Sequence, residues 1–211
     1  MSHNIIEFLG NVLKSALRTE YEKPRVGWYY PSLLPSCLRR QFLIYKRGLT
    51  ISEEKAGIFR LGELIHSYLA GVLRQSDLAV KASEAQFIIV ILMDGEFIRI
   101  SGRADMLIEL NNEIYVVEVK SIKRLPQEPL KHHVMQLQAY LAAFGAKGLL
   151  VYLEKNALQH KIFQVDFNNE EFRRLVDRAK RLHEALVKDA EPGGDAETWE
   201  CLFCEFKNEC P

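Results

Sequence analysis

Three charged residues stand out in the stretch GRADMLIEL-NN-EIYVVEVK, residues 102–120. Glu118 and Lys120 interrupt a run of Tyr115, Val116, Val117 and Val119 that otherwise reads as a buried strand. Asn111-Asn112 reads as a two-residue hairpin turn, because asparagine tolerates positive φ. Leu110 then pairs with Glu113, and Asp105 comes to lie opposite Glu118. Directly opposed residues share a face, with Cβ atoms about 5 Å apart. Lys120 shares that face about 7 Å further along. Two opposed carboxylates repel, and the cost rises with burial. A divalent cation between them removes the conflict, and Mg²⁺ or Mn²⁺ suits a site of few carboxylates, water and a phosphate. A neighbouring lysine would orient or activate an attacking water, or stabilise charge on a phosphoryl transition state. The same residues also fit an Asp/Glu/Lys cluster at a wet sheet edge, and a slip of one residue would send the two carboxylates to opposite faces.

The elements that must position these groups are legible in outline. Residues about 4–20 pattern as an amphipathic helix, and a helix is expected to start near Ser36 as N-cap, after turns at Pro31 and Pro35. Residues about 53–75 carry Ile58, Leu61, Ile65, Tyr68, Leu69 and Val72 at helical spacing. The texture then changes to strands: EAQFIIVILM, EFIRISGRADMLIEL, EIYVVEVKSI, GLLVYLE and HKIFQVDF are rich in Ile, Val, Phe and Tyr. Between the third and fourth strands the stripe Leu130, Val134, Leu137, Leu141, Phe144 marks a helix that Gly145 ends. Residues about 169–188 form a last amphipathic helix, and EPGGDAE is a loop into a cysteine-bearing tail. The order is helices, antiparallel strands, a helix, two strands and a helix, which is an α/β or α+β sheet with helical cover.

Further candidates flank the carboxylates. Gly62 and His66 sit four apart on one side of the predicted 53–75 helix, and Gln136 and Tyr140 sit four apart beside the apolar stripe of theirs. Gln136 is placed to orient a phosphate or water, and Tyr140 to hold Lys120. Each residue alone also fits a structural or solvated role. Cys201, Cys204 and Cys210 are spaced C-x2-C-x5-C at the end of the chain, and the remaining cysteine, Cys37, lies far upstream. No apolar run approaches the ~20 residues of a membrane span. The N-terminus carries interleaved charges and no cleavage-like site, unlike a signal peptide. The expected compartment is therefore the cytoplasm, which weakens a disulfide reading of the cysteines and strengthens a metal reading. With 48% apolar residues, 27% charged residues and zero formal net charge, bulk charge gives no argument for nucleic-acid binding, so any DNA contact must be local. At 211 residues the chain is expected to form a single domain, with a helical region at 1–76, a core at 84–188 and a cysteine tail at 195–211.

Taken in order, His66, Gly102-Arg103-Ala104-Asp105, Glu118-Val119-Lys120, Gln136-x3-Tyr140 and the C-x2-C-x5-C tail resemble the RecB-like nucleases of the PD-(D/E)xK superfamily. The likeness is greater to the CRISPR-associated RecB-family exonucleases that carry an iron–sulfur cluster, and it runs from Cys37 to Cys210. This resemblance implies a restriction-endonuclease-like core, with a mixed sheet flanked by helices and an N-terminal helical region tied to the cysteine tail. It implies Mg²⁺ or Mn²⁺ held by His66, Asp105, Glu118 and the carbonyl of Val119. Lys120 would be catalytic, with Gln136 and Tyr140 completing the site. The proline of the superfamily's name is Ala104 here, while the metal-binding aspartate is kept. Cys37, Cys201, Cys204 and Cys210 would hold a [4Fe–4S] cluster; a [2Fe–2S] cluster or zinc fits the same four thiolates, and a disulfide fits the spacing and compartment least well. Trp199, Phe203 and Phe206 would supply an apolar shell around it. Arg39 and Arg40, with Lys46 and Arg47, and then Lys123 and Arg124, would contact single-stranded DNA. The implied activity is 5′→3′ exonuclease action on single-stranded DNA, with possible endonuclease action, in the processing of CRISPR spacers alongside integrase proteins. A repair, recombination or viral relative with the same chemistry, and a non-catalytic DNA-binding scaffold with a metal staple, are the alternatives.

Overall fold

The computed structural model describes residues 4–17, 22–76, 79–157 and 159–210. Its helices are α1 (Ile5–Leu17), α2 (Leu38–Arg47), α3 (Glu53–Arg74), α4 (Lys131–Phe144), α5 (Asn169–Val187) and the short α6 (Thr198–Leu202). Its strands are β1 (Trp28–Tyr29), β2 (Ala79–Met93), β3 (Glu96–Leu110), β4 (Glu113–Ile122), β5 (Lys147–Glu154) and β6 (His160–Val165). The helix expected over 4–20 is seen as α1, and residues 18–20 lie outside the described residues.

All six strands form one mixed sheet with the path β1-β3-β4-β5-β6, and β2 pairs with the other edge of β3. Two tight turns set the antiparallel meander. Asn111 and Asn112 both take positive φ, as a twisted two-residue hairpin requires, and Asp94-Gly95 does the same between β2 and β3. β4 and β5 are parallel, so the chain must cross over, and α4 is that crossover. Gly145 ends α4 in the left-handed conformation, its N–H bonding the carbonyl of Leu141.

The sheet buries both faces. On one face α2, α4 and α5 pack on Ile98, Ile100, Ala104, Val116, Leu150 and Tyr152 to form the larger core. On the other, Ile65 of α3 packs on Met106, Ile108, Val117, Val119, Val151 and Leu153. The strand alternation in β4 and β5 divides cleanly between these cores. In β3 it slips: Ala104 belongs to the larger core, whereas Met106 and Ile108, which simple alternation would place beside it, belong to the smaller. The slip falls at Asp105, where the β2–β3 register passes from Ser83↔Met106 to Ala85↔Ala104 without pairing Glu84 to Asp105, and Glu84 takes φ +54°.

Ser36 is not the N-cap of α2. The cap is Cys37, whose side chain makes no capping bond, and Ser36 Oγ donates instead to the Leu33 carbonyl. The free N–H of Leu38 is satisfied from across the fold, by Asp195 Oδ1 at 2.6 Å. Arg178 of α5 holds Asp195 at 2.7 Å and also donates to the carbonyls of Leu34 and Ser36. A loop residue near the C-terminus thus does the work of a helix cap, joining three segments far apart in sequence. Burial opposes the charge on Asp195, but the Arg178 hydrogen bond and the Leu38 N–H together hold its carboxyl below the usual range. Replacing it should remove both the cap and the ion pair. Asp195→Ala is expected to lower stability by about 1–2 kcal/mol, read as a fall in the urea midpoint at unchanged slope.

Candidate active site

The β3–β4 ladder follows the register expected from the Asn-Asn turn, from Leu110↔Glu113 to Met106↔Val117. It stops there, one pair short of Asp105 and Glu118. Beyond that point the same edge of β3 is taken by β1, which pairs in parallel at Arg99 and Ile100. The strands therefore fork where the two carboxylates stand. Parting leaves the N–H of Val119 without a backbone acceptor, and Asp105 Oδ2 accepts it at 2.7 Å. Asp105 Oδ1 faces His66 Nδ1 of α3 at 3.4 Å. α3 comes close to β4 at Gly62, where an added Cβ would lie 3.1 Å from Ser121 Oγ. One helical turn later, that approach sets His66 over Asp105.

Glu118 is 3% exposed. Its Oε1 accepts from Lys120 Nζ at 2.7 Å and from Gln136 Nε2 at 2.8 Å. Gln136 in turn accepts from Lys120 Nζ at 2.8 Å and donates to the Tyr140 hydroxyl at 2.8 Å. Lys120 is thus held by Gln136 and Glu118, and the expected bond from Tyr140 is replaced by one through Gln136. The other carboxylate oxygen, Glu118 Oε2, is buried with no hydrogen-bond partner. Desolvation by burial pushes the Glu118 carboxyl up to about 7; the Lys120 charge opposes this and the Asp105 charge adds to it. Burial works against a charged His66, but its hydrogen bond to Asp105 and the charges of Asp105 and Glu118 outweigh that and raise it above the usual imidazole range.

A buried carboxylate oxygen with no donor, beside a second carboxylate and an imidazole, is a poor arrangement for a structure built for stability alone. It fits a hard divalent cation: two carboxylates and one imidazole suit Mn²⁺ or Mg²⁺. As the side chains stand, Asp105 is turned to Val119 and His66, and Glu118 to Lys120 and Gln136. Among the described residues no group of three or more His, Cys, Asp or Glu side chains is gathered tightly enough to hold a metal ion.

Asp105, Glu118, Gln136 and Tyr140 line one open cavity of about 1000 Å³, with Trp28 and Tyr30 from the β1 arm of the fork. A second cavity of about 470 Å³ on the α3 side is lined by His66, Arg60 and Arg74, and it shares Arg103 and Asp105 with the first. Asp105 therefore stands in the wall between them. Nothing in the residue pattern signals the contribution of Trp28 and Tyr30, which lie in a segment with a strand of only two residues.

The tail is docked on α2 and α3 by ion pairs. Arg40 pairs with Glu205 at 2.9 Å, Lys55 with Glu205 at 3.2 Å, Arg39 with Glu191 at 2.5 Å and Lys46 with Asp189 at 2.6 Å, while Arg47 pairs with Glu209. The basic run expected to meet DNA is neutralised by the acidic tail that folds over it. Lys123 and Arg124 are exposed just past β4. Phe206 is buried in the larger core. Cys37, Cys201, Cys204 and Cys210 line one cavity of about 70 Å³, with Phe206 among its walls. All four thiols are free. Trp199 and Phe203 do not line this cavity, so the apolar shell expected of them rests on Phe206 and Leu43 instead.

A model of the PD-(D/E)XK nuclease superfamily matches residues 73–211. The CRISPR-associated exonuclease Cas4 of Saccharolobus solfataricus is 30% identical over 185 residues, which cover 86% of this chain and 86% of that protein. The chain belongs to the PD-(D/E)XK nuclease superfamily. It is an enzyme of nuclease type, and Asp105 with Glu118-Val119-Lys120 stands in the order of the superfamily's D and (D/E)XK, with Ala104 in place of the proline. The crystal structure of SSO0001 superposes with a TM-score of 0.67 at 27% identity, over 100% of this chain and 98% of that one. An alkaline exonuclease, LHK-Exo from Laribacter hongkongensis, shares the fold with a TM-score of 0.52 at 12% identity, over 79% of this chain and 91% of that one.

Within this nuclease the glycine of Gly102-Arg103-Ala104-Asp105 has a steric reason. A Cβ at Gly102 would lie 2.8 Å from the Phe87 ring and 3.0 Å from the Tyr140 ring. Those rings meet edge-to-face at 5.2 Å. Gly102→Val should displace Tyr140 and through it Gln136. A loss of about 1–3 kcal/mol in stability is expected, by thermal denaturation, with a larger fall in nuclease activity than the fraction unfolded accounts for.

Proposed function

We propose that the chain is a metal-dependent exonuclease that degrades single-stranded DNA in the 5′→3′ direction. The observation that carries this reading is the unpartnered, buried Oε2 of Glu118 beside Asp105, in a chain of a nuclease superfamily. Asp105, Glu118, His66 and the Val119 carbonyl would hold Mg²⁺ or Mn²⁺. A bound cation supplies Lewis-acid stabilisation of phosphoryl charge and lowers the pKa of a water molecule. Hydrolysis forms one P–O bond from water and breaks one P–O ester bond, and the proton lost by the water passes to the leaving alkoxide. Lys120, fixed between Glu118 and Gln136, positions the water and balances charge on the phosphoryl oxygens. Gln136 and Tyr140 keep Lys120 and Glu118 in register. Lys123 and Arg124, exposed beyond β4, contact the phosphate backbone.

The four cysteines would hold a [4Fe–4S] cluster. Support comes from their lining a single cavity although Cys37 is far from the other three in sequence. The cluster would then fasten α2 to the tail, beside the ion pairs of Arg40 and Asp195. The similarity to the CRISPR-associated exonuclease Cas4 supports a role in preparing DNA for CRISPR spacer acquisition, in the company of spacer integrase proteins.

The reading is tested on 5′- and 3′-labelled single-stranded DNA with anaerobically purified protein in Mn²⁺, Mg²⁺ or EDTA. Cleavage should need the metal, and Lys120→Ala should lower kcat by about 10²-fold or more. Cleavage that survives EDTA, or equals wild type in Lys120→Ala, would sink the assignment. Because the carboxyl of Glu118 is raised to about 7, the free site holds a proton below that pH that a cation must displace. Mn²⁺ binding should therefore tighten from pH 6 to pH 8 with net proton release, measured by calorimetry in buffers of different ionisation enthalpy. Glu118→Gln should abolish both the binding and its pH dependence.

A further inference from the structure

An aromatic cavity adjoins the active-site cavity. Ser32 lines that cavity and also a neighbouring one of about 400 Å³ whose walls include His132, Trp199 and Phe203. His132 and Trp199 then form part of the wall of a third, of about 750 Å³, beside the start of α4. Ser32 therefore stands between the active-site cavity and the aromatic one, and Trp199 lies one cavity away from the carboxylates. Trp199 is 48% exposed and Phe203 67% exposed. Trp199 is braced from the sheet side: its ring lies 5.6 Å from that of His132, and His132 lies 4.1 Å from His133. His133 Nδ1 is 3.0 Å from the hydroxyl of Tyr152 in β5. Burial and the charge of Lys120 hold both imidazoles below their usual range, so at neutral pH the brace is uncharged rings.

The charges along these walls are mixed: exposed Lys131 lines the third cavity and Arg40 the second, beside three carboxylates. Asp195, Glu197 and Glu200 line the third cavity. Asp195 is engaged by Arg178, and Glu197 and Glu200 close a capping box on α6. With the carboxylates engaged and Lys131 exposed among them, the ring faces of Trp199 and Phe203 are the contact offered to bases. Such stacking tolerates any base sequence.

We propose that Trp199 and Phe203 form a base-stacking platform that grips unpaired nucleobases of the strand whose phosphodiester lies at Asp105 and Glu118. The proposal rests on the nuclease reading above and adds a binding subsite to it. Trp199 stands two residues before Cys201, and Phe203 immediately before Cys204. The cysteine tail is therefore part of the substrate-binding surface as well as a fastening for α2, and loosening the tail should loosen the grip on DNA.

The test uses the full chain, a labelled oligothymidylate and EDTA, so that binding is read without cleavage. Trp199→Ala should weaken binding roughly tenfold or more, Phe203→Ala should weaken it in the same direction, and Trp199→Phe should restore most of the affinity. Tryptophan fluorescence of the wild type should be quenched by the oligonucleotide and not by blunt duplex. That quenching should fall in Trp199→Phe to the part that Trp28, in the wall of the active-site cavity, contributes. In Mn²⁺, the loss in Trp199→Ala should fall on KM and be recovered at saturating DNA. Unchanged affinity in a Trp199→Ala protein of wild-type circular dichroism would overturn the platform, as would wild-type cleavage without quenching, which would leave the nuclease standing. Quenching that Trp199→Phe removes, in a protein that does not cleave, would uphold the platform and overturn the nuclease reading.

Discussion

The whole site depends on the parting of β3 and β4 one residue pair beyond Met106 and Val117. A continued ladder would set two carboxylates directly against each other in a half-buried sheet. The fork instead sends the Asp105 carboxylate into the gap, where it replaces the missing backbone acceptor of Val119. That single hydrogen bond ties the position of Asp105 to the backbone of the strand that carries Glu118 and Lys120. The register slip in β3, the positive φ of Glu84 and the entry of β1 on the vacated edge all accompany the same event. A two-residue strand at an edge is a minor part of the sheet, yet it covers the arm of β3 that β4 abandons.

What the fork exposes, the helices must stabilise. α4 contributes Gln136 and Tyr140, and α3 contributes His66, so the carboxylates are met from both faces of the sheet. The resulting network is uneven. Glu118 Oε1 has two donors and Oε2 has none. Burying a carboxylate oxygen without a partner costs on the order of 1–3 kcal/mol or more, and local departures of this kind are expected where function competes with stability. The adjacent Lys120 does not repair it, because its ammonium group is shared between the other oxygen of Glu118 and Gln136.

The tail is governed by a second balance of charge. The chain is neutral overall, and its most basic run, on α2, is matched by Asp189, Glu191, Glu205 and Glu209. Partly buried pairs such as Arg40–Glu205 matter more than the exposed ones, which solvent screens. Docking by charge, by the Asp195 cap and by Phe206 brings the three tail cysteines to the same cavity as Cys37 and turns Trp199 and Phe203 outward.

Local pattern was enough to read most of the elements and one critical register. The hydrophobic periods marked α3, α4, α5 and β3 to β6 close to their observed bounds, because each is a long segment with one buried face or two. Asn111-Asn112 fixed the β3–β4 pairing, since a two-residue turn leaves no freedom in register. That Asp105 and Glu118 come to one cavity followed from counting along two strands, although the ladder stops one pair short of them. The sequence was silent where the deciding partner lies far away in the chain. It assigned the cap of α2 to Ser36 because capping residues are normally local, whereas the acceptor is Asp195. It read Arg39 and Arg40 as DNA contacts because basic and aromatic residues stand together there, and it gave no sign that Glu191 and Glu205 pair with them. It joined Tyr140 to Lys120, and tertiary packing placed Gln136 between. It gave no hint that β3 and β4 part at the carboxylates, because strand separation is set by what packs on the two faces and by which strand takes the vacated edge. Residue type and spacing therefore picked out the groups that gather at the fork, and only the folded chain decided which oxygen is left without a partner and which rings stand near it.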